Sequence, residues 1–281
     1  MDRDELKRLV AQLLGERAAE APAEEGCSED ITKLDLRKLY FVKHPQNAEA
    51  FQTLKAKTPA RLGMGRAGTR YLTKTLLRFR ADHAAAQDSV FSQVPEDYAK
   101  SHELIALQTL CKDKEQYLTR PDLGRRFSQE TGKLIQEVFS GQRVLLVVGD
   151  GLSSAAITQN AMDCLLAIRQ GLKARNIPVE QGMFVRYCRV GASDHLGELT
   201  GCELVCMLVG ERPGLVTNAS MSAYLTYRPH LGTQESERTV ISNIHAQGIA
   251  PVEAGAHIAS VVEQILQKKK SGVAFAQEVG R

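Results

Sequence analysis

At 281 residues, with a net charge of +3 and 43% hydrophobic against 25% charged residues, the chain can bury one sizeable core, or a core with a smaller helical region beside it. Charges of both signs are mixed without a dominant basic stripe, which argues against nucleic acid as the main partner. No window reaches the ~18–20 continuous apolar residues of a membrane span, and the opening MDRDELKRLV lacks the apolar core of a secretory signal.

Residues 2–17 place Leu6, Leu9, Val10, Leu13 and Leu14 on one stripe, which predicts a short amphipathic helix with Asp2, Asp4 and Glu5 near its positive end. AAEAPAEEGCSED (18–30) follows as a polar tether, so this helix reads either as a frayed terminus or as a docking peptide. Residues 47–57 and 70–87 are predicted helical, the second with Leu72, Leu76, Leu77 and Phe79 on its apolar side. Between them ARLGMGRAGTR (60–70) interleaves Gly63, Gly65 and Gly68 with Arg61, Arg66 and Arg70. That pattern suits an anion-binding loop, or arginines that clamp acidic loops of a complex. YLTRPDLGRRF (117–127) has the same character, with Arg125 and Arg126 ahead of a helix to about Phe139.

From Val144 the pattern changes. Val144–Val148 reads as a buried strand, and Ser153 or Ser154 caps a helix carrying Ile157, Ala161, Leu165, Ile168 and Leu172 on one face. Met183–Val190 is a second strand, a short helix near Asp194–Leu199 ends at Gly201, and Leu204–Val209 is a third strand. Ser222–Tyr227 and Arg238–Ile244 are further strand candidates. A final helix starts at Pro251 and keeps Ala254, Ile258, Val261 and Ile265 in register before stopping ahead of Gly272. Alternating strands and helices predict an α/β class: a Rossmann-like open, mostly parallel sheet with helices on both faces. The expected organisation is an N-terminal helix and linker (1–30), a helical region (31–140) and an α/β domain (141–281). Val148-Gly149-Asp150, Arg189-Val190-Gly191 and Val209-Gly210-Glu211 then end at one sheet edge, where ligands of such sheets bind.

Motifs for chemistry at that edge are incomplete. Gly149-Asp150-Gly151 begins a dinucleotide fingerprint, but Ser154 stands at the third glycine position and no acid closes a second strand at the usual ~20-residue distance. A self-contained nucleotide-binding enzyme using Gly149–Ser154 remains the alternative function. Ser153 lacks the full Gly-x-Ser-x-Gly elbow of a serine hydrolase and reads better as a helix cap. The seven histidines form no HxH or HxxxH pair, and Asp194-His195-Leu196-Gly197 has the wrong spacing for the Asp-x-His-x-x-Gly motif that ligates cobalt. Asp150 and Glu211 end two strands and suit either acid–base work or acceptance of hydrogen bonds. The six cysteines (27, 111, 164, 188, 202, 206) show no CxxC spacing, and Cys202 and Cys206 read as buried, reduced thiols of a cytosolic protein.

The segments GRAGTR (65–70), LLRFRADHAAAQDSV (76–90), YLTRPDLGRR (117–126), GDGLSSAAIT (149–158), FVRYCRV (184–190), LVGERPGL (208–215), RTVISNIH (238–245) and PVEAGAHI (251–258) together resemble one family, the small (light) subunit of ethanolamine ammonia-lyase. The resemblance covers residues ~60–272 in order. It implies a carbon–nitrogen lyase, dependent on adenosylcobalamin, that converts ethanolamine to acetaldehyde and ammonia. It further implies a large TIM-barrel partner subunit carrying the substrate residues, in six copies of each chain, so that no catalytic residue is expected in this one. Carried over position by position, the cofactor contacts fall at Val190 in FVRYCRV, Glu211 in LVGERPGL and Val240 in RTVISN. Val240 departs from the family's cysteine, and His195 is assigned no role. The cofactor is expected to keep its own benzimidazole on cobalt, with Asp150 and Ser153 supporting one wall of its crevice. The arginine-glycine segments at 61–70 and 120–126 are then expected to face the large subunit. The family also implies packaging inside a bacterial microcompartment through residues 2–17.

Overall fold

The computed structural model describes Asp35, Lys38 and residues 40–279, which divide into two units between Asp82 and His83. The helix expected over residues 2–17 lies outside the described residues. In the first unit, Asn47 caps helix α1 (Ala48–Ala56) by accepting the Ala50 N–H at 2.9 Å. A two-stranded hairpin follows, β1 (Arg66–Ala67) and β2 (Arg70–Tyr71), turning at Gly68. Two arginines of the 61–70 segment are engaged within the unit: Arg61 pairs with Asp82 at 2.7 Å and lies over Phe79, and Arg66 lies 4.7 Å over the Tyr71 ring.

Helix α2 (Thr73–Phe91) is longer than the sequence predicts and differently faced. Leu76 and Leu77 are exposed, whereas Thr75 and Arg78 are buried. The exchange has a polar cause. Thr75 donates its hydroxyl to Met64 O, and Arg78 forms an i,i+4 ion pair with Asp82 at 2.9 Å.

The second unit holds a six-stranded mixed sheet in the order β3-β5-β4-β6-β7-β8. The strands are β3 (Ile105–Gln108), β4 (Val144–Gly149), β5 (Gly182–Arg186), β6 (Leu204–Gly210), β7 (Met221–Tyr227) and β8 (Arg238–Ile244). β3, β5, β4 and β6 run parallel, and β7 and β8 return antiparallel. Parallel pairing therefore holds where helices separate the strands. No helix-length segment separates β6, β7 and β8, and short connections produce antiparallel neighbours. Helix α3 (Tyr98–Ser101) precedes β3, a strand where a helical region was expected, and a short helix, α4 (Lys114–Thr119), follows it.

All six β4 residues and all seven β6 residues are buried, as central parallel strands covered on both faces require. One face packs on α6 (Met162–Ala174), entered through Ser154–Ala156 and a π-turn at Ile157–Ala161, and on α8 (Pro251–Lys268). Ile157, Ala161, Leu165, Ile168 and Leu172 bury together with Ala254, Ile258, Val261 and Ile265, as their spacing predicts. The other face packs on α5 (Gln129–Phe139) and α7 (Ala192–Thr200), through Ile135, Phe139, Ala192 and Leu196. A last helix, α9 (Gly272–Val279), follows α8. No helix among the described residues is long and apolar enough to cross a membrane.

Candidate functional site

At the end of β4 the expected crevice is filled by the chain itself, while a cavity beside the ends of β3 and β5 is lined by Gln108, Arg186 and Tyr187. A Cβ on Gly151 would lie 2.6 Å from Val209 and 3.0 Å from Gly210 O, so this glycine serves the close approach of strand ends. Over the turn lies the segment from Thr109 to Arg126, which includes a short helix, Lys114–Thr119, and a 3-10 turn, Leu123–Arg125. Lys114 Nζ donates to Gly151 O at 3.1 Å, and the Tyr117 hydroxyl donates to Cys188 O at 3.3 Å. Cys111, Tyr117 and Tyr187 form a small buried cluster there with Leu118, Leu123 and Leu152.

Asp150 and Ser153 are fully buried beneath this plug. Ser153 caps the helical turn by accepting the Ala156 N–H at 3.0 Å and donates its own hydroxyl to Asn218 O. Asp150 Oδ1 accepts the Ser154 hydroxyl at 2.8 Å, and the Asp150 N–H is spent on Val185 O. Burial pushes the Asp150 carboxyl up, opposed by the Lys114 charge and the Ser154 hydrogen bond. Burial also pushes the Lys114 ammonium down, opposed by Asp150. With the Asp150 carboxylate buried at its centre and the Asp150 N–H bonded to Val185 O, the turn does not suit a phosphate.

The expected strand Met183–Val190 stops at Arg186, because Tyr187 takes a left-handed conformation (φ 56°). Val190 therefore lies in the loop leading to α7 rather than on a strand end, and it is half-buried. Its carbonyl accepts the Ser193 hydroxyl at 2.8 Å and the Ser193 N–H at 3.1 Å. Ser193 Oγ also meets Arg238 Nη1 at 3.0 Å, and Arg238 grips Asp194 with bonds of 2.9 and 3.0 Å. Arg238 opens β8, two residues before Val240. A buried cation thus ties the Val190 loop to the strand that carries Val240.

Glu211 follows β6 directly and is half-buried. Its Oε2 accepts the Ser220 hydroxyl at 3.1 Å, and its Oε1 accepts the Ser222 hydroxyl and the Asn243 N–H, the latter at 3.4 Å. Tyr224, two residues after Ser222 on the same face of β7, is paired in register with Val240. Burial and the Glu211 charge both push the Tyr224 phenol up. Val240 is 46% exposed, a high value for an apolar residue in mid-strand. The surface thus combines an oriented carboxylate, a tyrosine and an uncovered valine. That set fits a ligand with an apolar body and a rim of hydrogen-bond donors. The serines, Asn243 and Arg238 were not singled out by motif; the available signal was the Ser220-x-Ser222 spacing at the start of an apolar strand.

No group of three or more metal-ligating side chains occurs among the described residues. His195 accepts the Phe127 N–H through Nδ1 at 3.0 Å and stacks on that ring, a structural role. Cys111, Cys164, Cys188, Cys202 and Cys206 are buried free thiols, and burial pushes Cys164 up to about 12.

Comparison with known proteins places these features in a family. The family model for the ethanolamine ammonia-lyase light chain matches residues 48–276. The chain belongs to the ethanolamine ammonia-lyase light chain family. The ethanolamine ammonia-lyase small subunit of Clostridioides difficile is 56% identical over 290 residues, covering 97% of this chain and 99% of that one. The small subunits of Lachnoclostridium phytofermentans and Listeria monocytogenes are each 49% identical, with the same coverage of 97% and 99%. The light-chain match takes in all eight strands together with Val190, Glu211 and Val240.

Proposed function

We propose that this chain is the small subunit of an adenosylcobalamin-dependent ethanolamine ammonia-lyase and completes the cobalamin site at an interface with a large TIM-barrel subunit. The supporting observation is the outward surface of β7 and β8, where Glu211 is held by three donors beside the exposed Val240. When bound, the cofactor supplies the radical that starts the conversion of ethanolamine to acetaldehyde and ammonia. This chain's part is to bind and orient. Glu211 accepts hydrogen bonds from amide or ribose groups, Val240 packs against the apolar body, and the Val190 loop bonds through its backbone. Where the family carries cysteine, a valine keeps the same backbone groups and an apolar side chain for this contact. The assembly is six copies of each chain.

The test is reconstitution. The isolated chain is expected to show no lyase activity, and mixing with the large subunit is expected to restore cobalamin-dependent acetaldehyde formation. Glu211→Arg in that complex is expected to weaken cofactor binding by at least about tenfold, since it replaces an acceptor by a repelling donor. Activity of the chain alone, or tight nucleotide binding that Asp150→Ala abolishes, would return the function to Gly149–Ser154.

Residues 2–17 serve, on this reading, as the docking helix for a bacterial microcompartment shell or its cargo. Deleting residues 1–20 is expected to leave the complex active and to remove it from purified microcompartments. Unchanged packaging refutes this.

A further inference from the structure

Glu211 does not hold its own position. A carboxylate side chain on a half-buried rim has two rotatable bonds beyond its χ1, and a ligand must otherwise order it at binding. Here three donors from two strands fix it first. Both lone-pair directions of Oε1 are taken, by Ser222 and Asn243, while Oε2 has one of its two filled, by Ser220. One acceptor direction therefore remains for a ligand.

The Asn243 donor depends on an irregularity. The β7–β8 ladder slips its register between Met221 and Ala223, and Asn243 takes φ 63°. Asparagine tolerates that left-handed conformation better than most residues. The slip takes the Asn243 N–H out of the regular ladder and brings it to Glu211 Oε1. The Asn243 side chain is in turn anchored. His245, 9% exposed, accepts the Gln247 N–H at Nδ1 (3.3 Å), which leaves Nε2 protonated to donate to Asn243 Oδ1 at 2.8 Å. The Ile249 N–H closes the hook on Asn243 O at 2.9 Å.

The geometry points to Ser222, Asn243 and His245 as positioning residues that fix the Glu211 carboxylate so that a single Oε2 acceptor direction meets an amide or hydroxyl donor of the cofactor. The inference rests on the cobalamin reading above. His245 acts only through Asn243, and Asn243 and Ser222 only through Glu211.

The experiment is a double-mutant cycle on the assembled complex with its large subunit, with cyanocobalamin as an inert probe whose affinity is read by equilibrium dialysis. Ser222→Ala and Asn243→Ala are each expected to raise the dissociation constant about tenfold, the effect of one hydrogen bond to a charged acceptor. Ser222→Thr keeps the hydroxyl and is expected to stay within about threefold of the parent; Asn243→Gly keeps the left-handed N–H but loses the Oδ1 that His245 holds, and is expected to fall between the parent and Asn243→Ala. The apparent KM for adenosylcobalamin is expected to rise in step with the dissociation constant in Ser222→Ala and Asn243→Ala. On a Glu211→Ala background, Ser222→Ala is expected to cost nothing further. Losses that add on that background, or a Ser222→Ala complex that binds as the parent does, overturn the positioning role. If Ser222→Ala fails to assemble, the Asn243→Gly and Asn243→Ala pair carries the same decision. A Glu211→Ala complex with parental affinity sinks the site reading itself, whatever the serine does.

Discussion

Arg238→Ala is expected to cost about 3–5 kcal/mol of stability, because it leaves Asp194 buried without its cation. The Arg238 side chain is 1% exposed and binds Asp194 through two nitrogens and Glu235 through Nε at 3.0 Å, with Ser193, Thr226 and Thr233 O completing its shell. The accompanying fall in melting temperature is about 10 °C for a unit of this size. Since Ser193 also holds the Val190 carbonyl, the variant is expected to loosen the start of α7 as well. Amide hydrogen exchange should rise at residues 190–194 before it rises in β4. A melting temperature within about 2 °C of the parent would show that the ion pair is replaced by solvent at little cost.

The second large effect is steric. An added Cβ at Gly210 would sit 2.1 Å from Ser153 O and 2.9 Å from Ser153 C, both backbone atoms that cannot swing aside. Gly210→Ala is therefore expected to force β6 and the Asp150–Ser153 turn apart, at about 3 kcal/mol in urea unfolding. Gly214→Ala is the control. Its Cβ would meet nothing nearer than Thr217 O at 3.9 Å, so a change within about 0.5 kcal/mol is expected. Equal effects at the two glycines would mean that the strand ends are not close-packed as described.

The elements that carry an unbroken apolar signal were legible in the sequence. VLLVV before Gly149 could only be a covered strand, and the periodic residues of α6 and α8 point inward as counted. The misses share a physical origin in local geometry that composition does not record. Ile105–Gln108 is four residues with two exposed positions, too short to show a period. RYCRV keeps a strand-like alternation through Val190, but the left-handed turn at Tyr187 ends the ladder. The antiparallel return of β7 and β8 was implied by the spacers at 211–220 and 228–237, too short for a crossover helix, a signal weaker than the strands themselves.

Of the site, Val190, Glu211 and Val240 are assigned by family resemblance; the strand-end expectation also reached Glu211, but grouped it with the buried Asp150 turn rather than with β7 and β8. The plug over β4 could not be read from YLTRPDLGRR, because its anchors reach Gly151 and Cys188 across the fold. Ser222 and Asn243 matter through hydrogen bonds across strands, which a linear motif does not display.

The half-exposed Val240 on an edge strand has a thermodynamic corollary. On the proposed function, this flat strand face shields only one side of the cobalamin, and a second polypeptide seals the remaining area. Ligand uptake and heterodimer formation then become linked equilibria, each strengthened by the same factor in the presence of the other. Dilution should release cofactor and partner together, at a midpoint that moves to lower protein concentration as free cobalamin is raised.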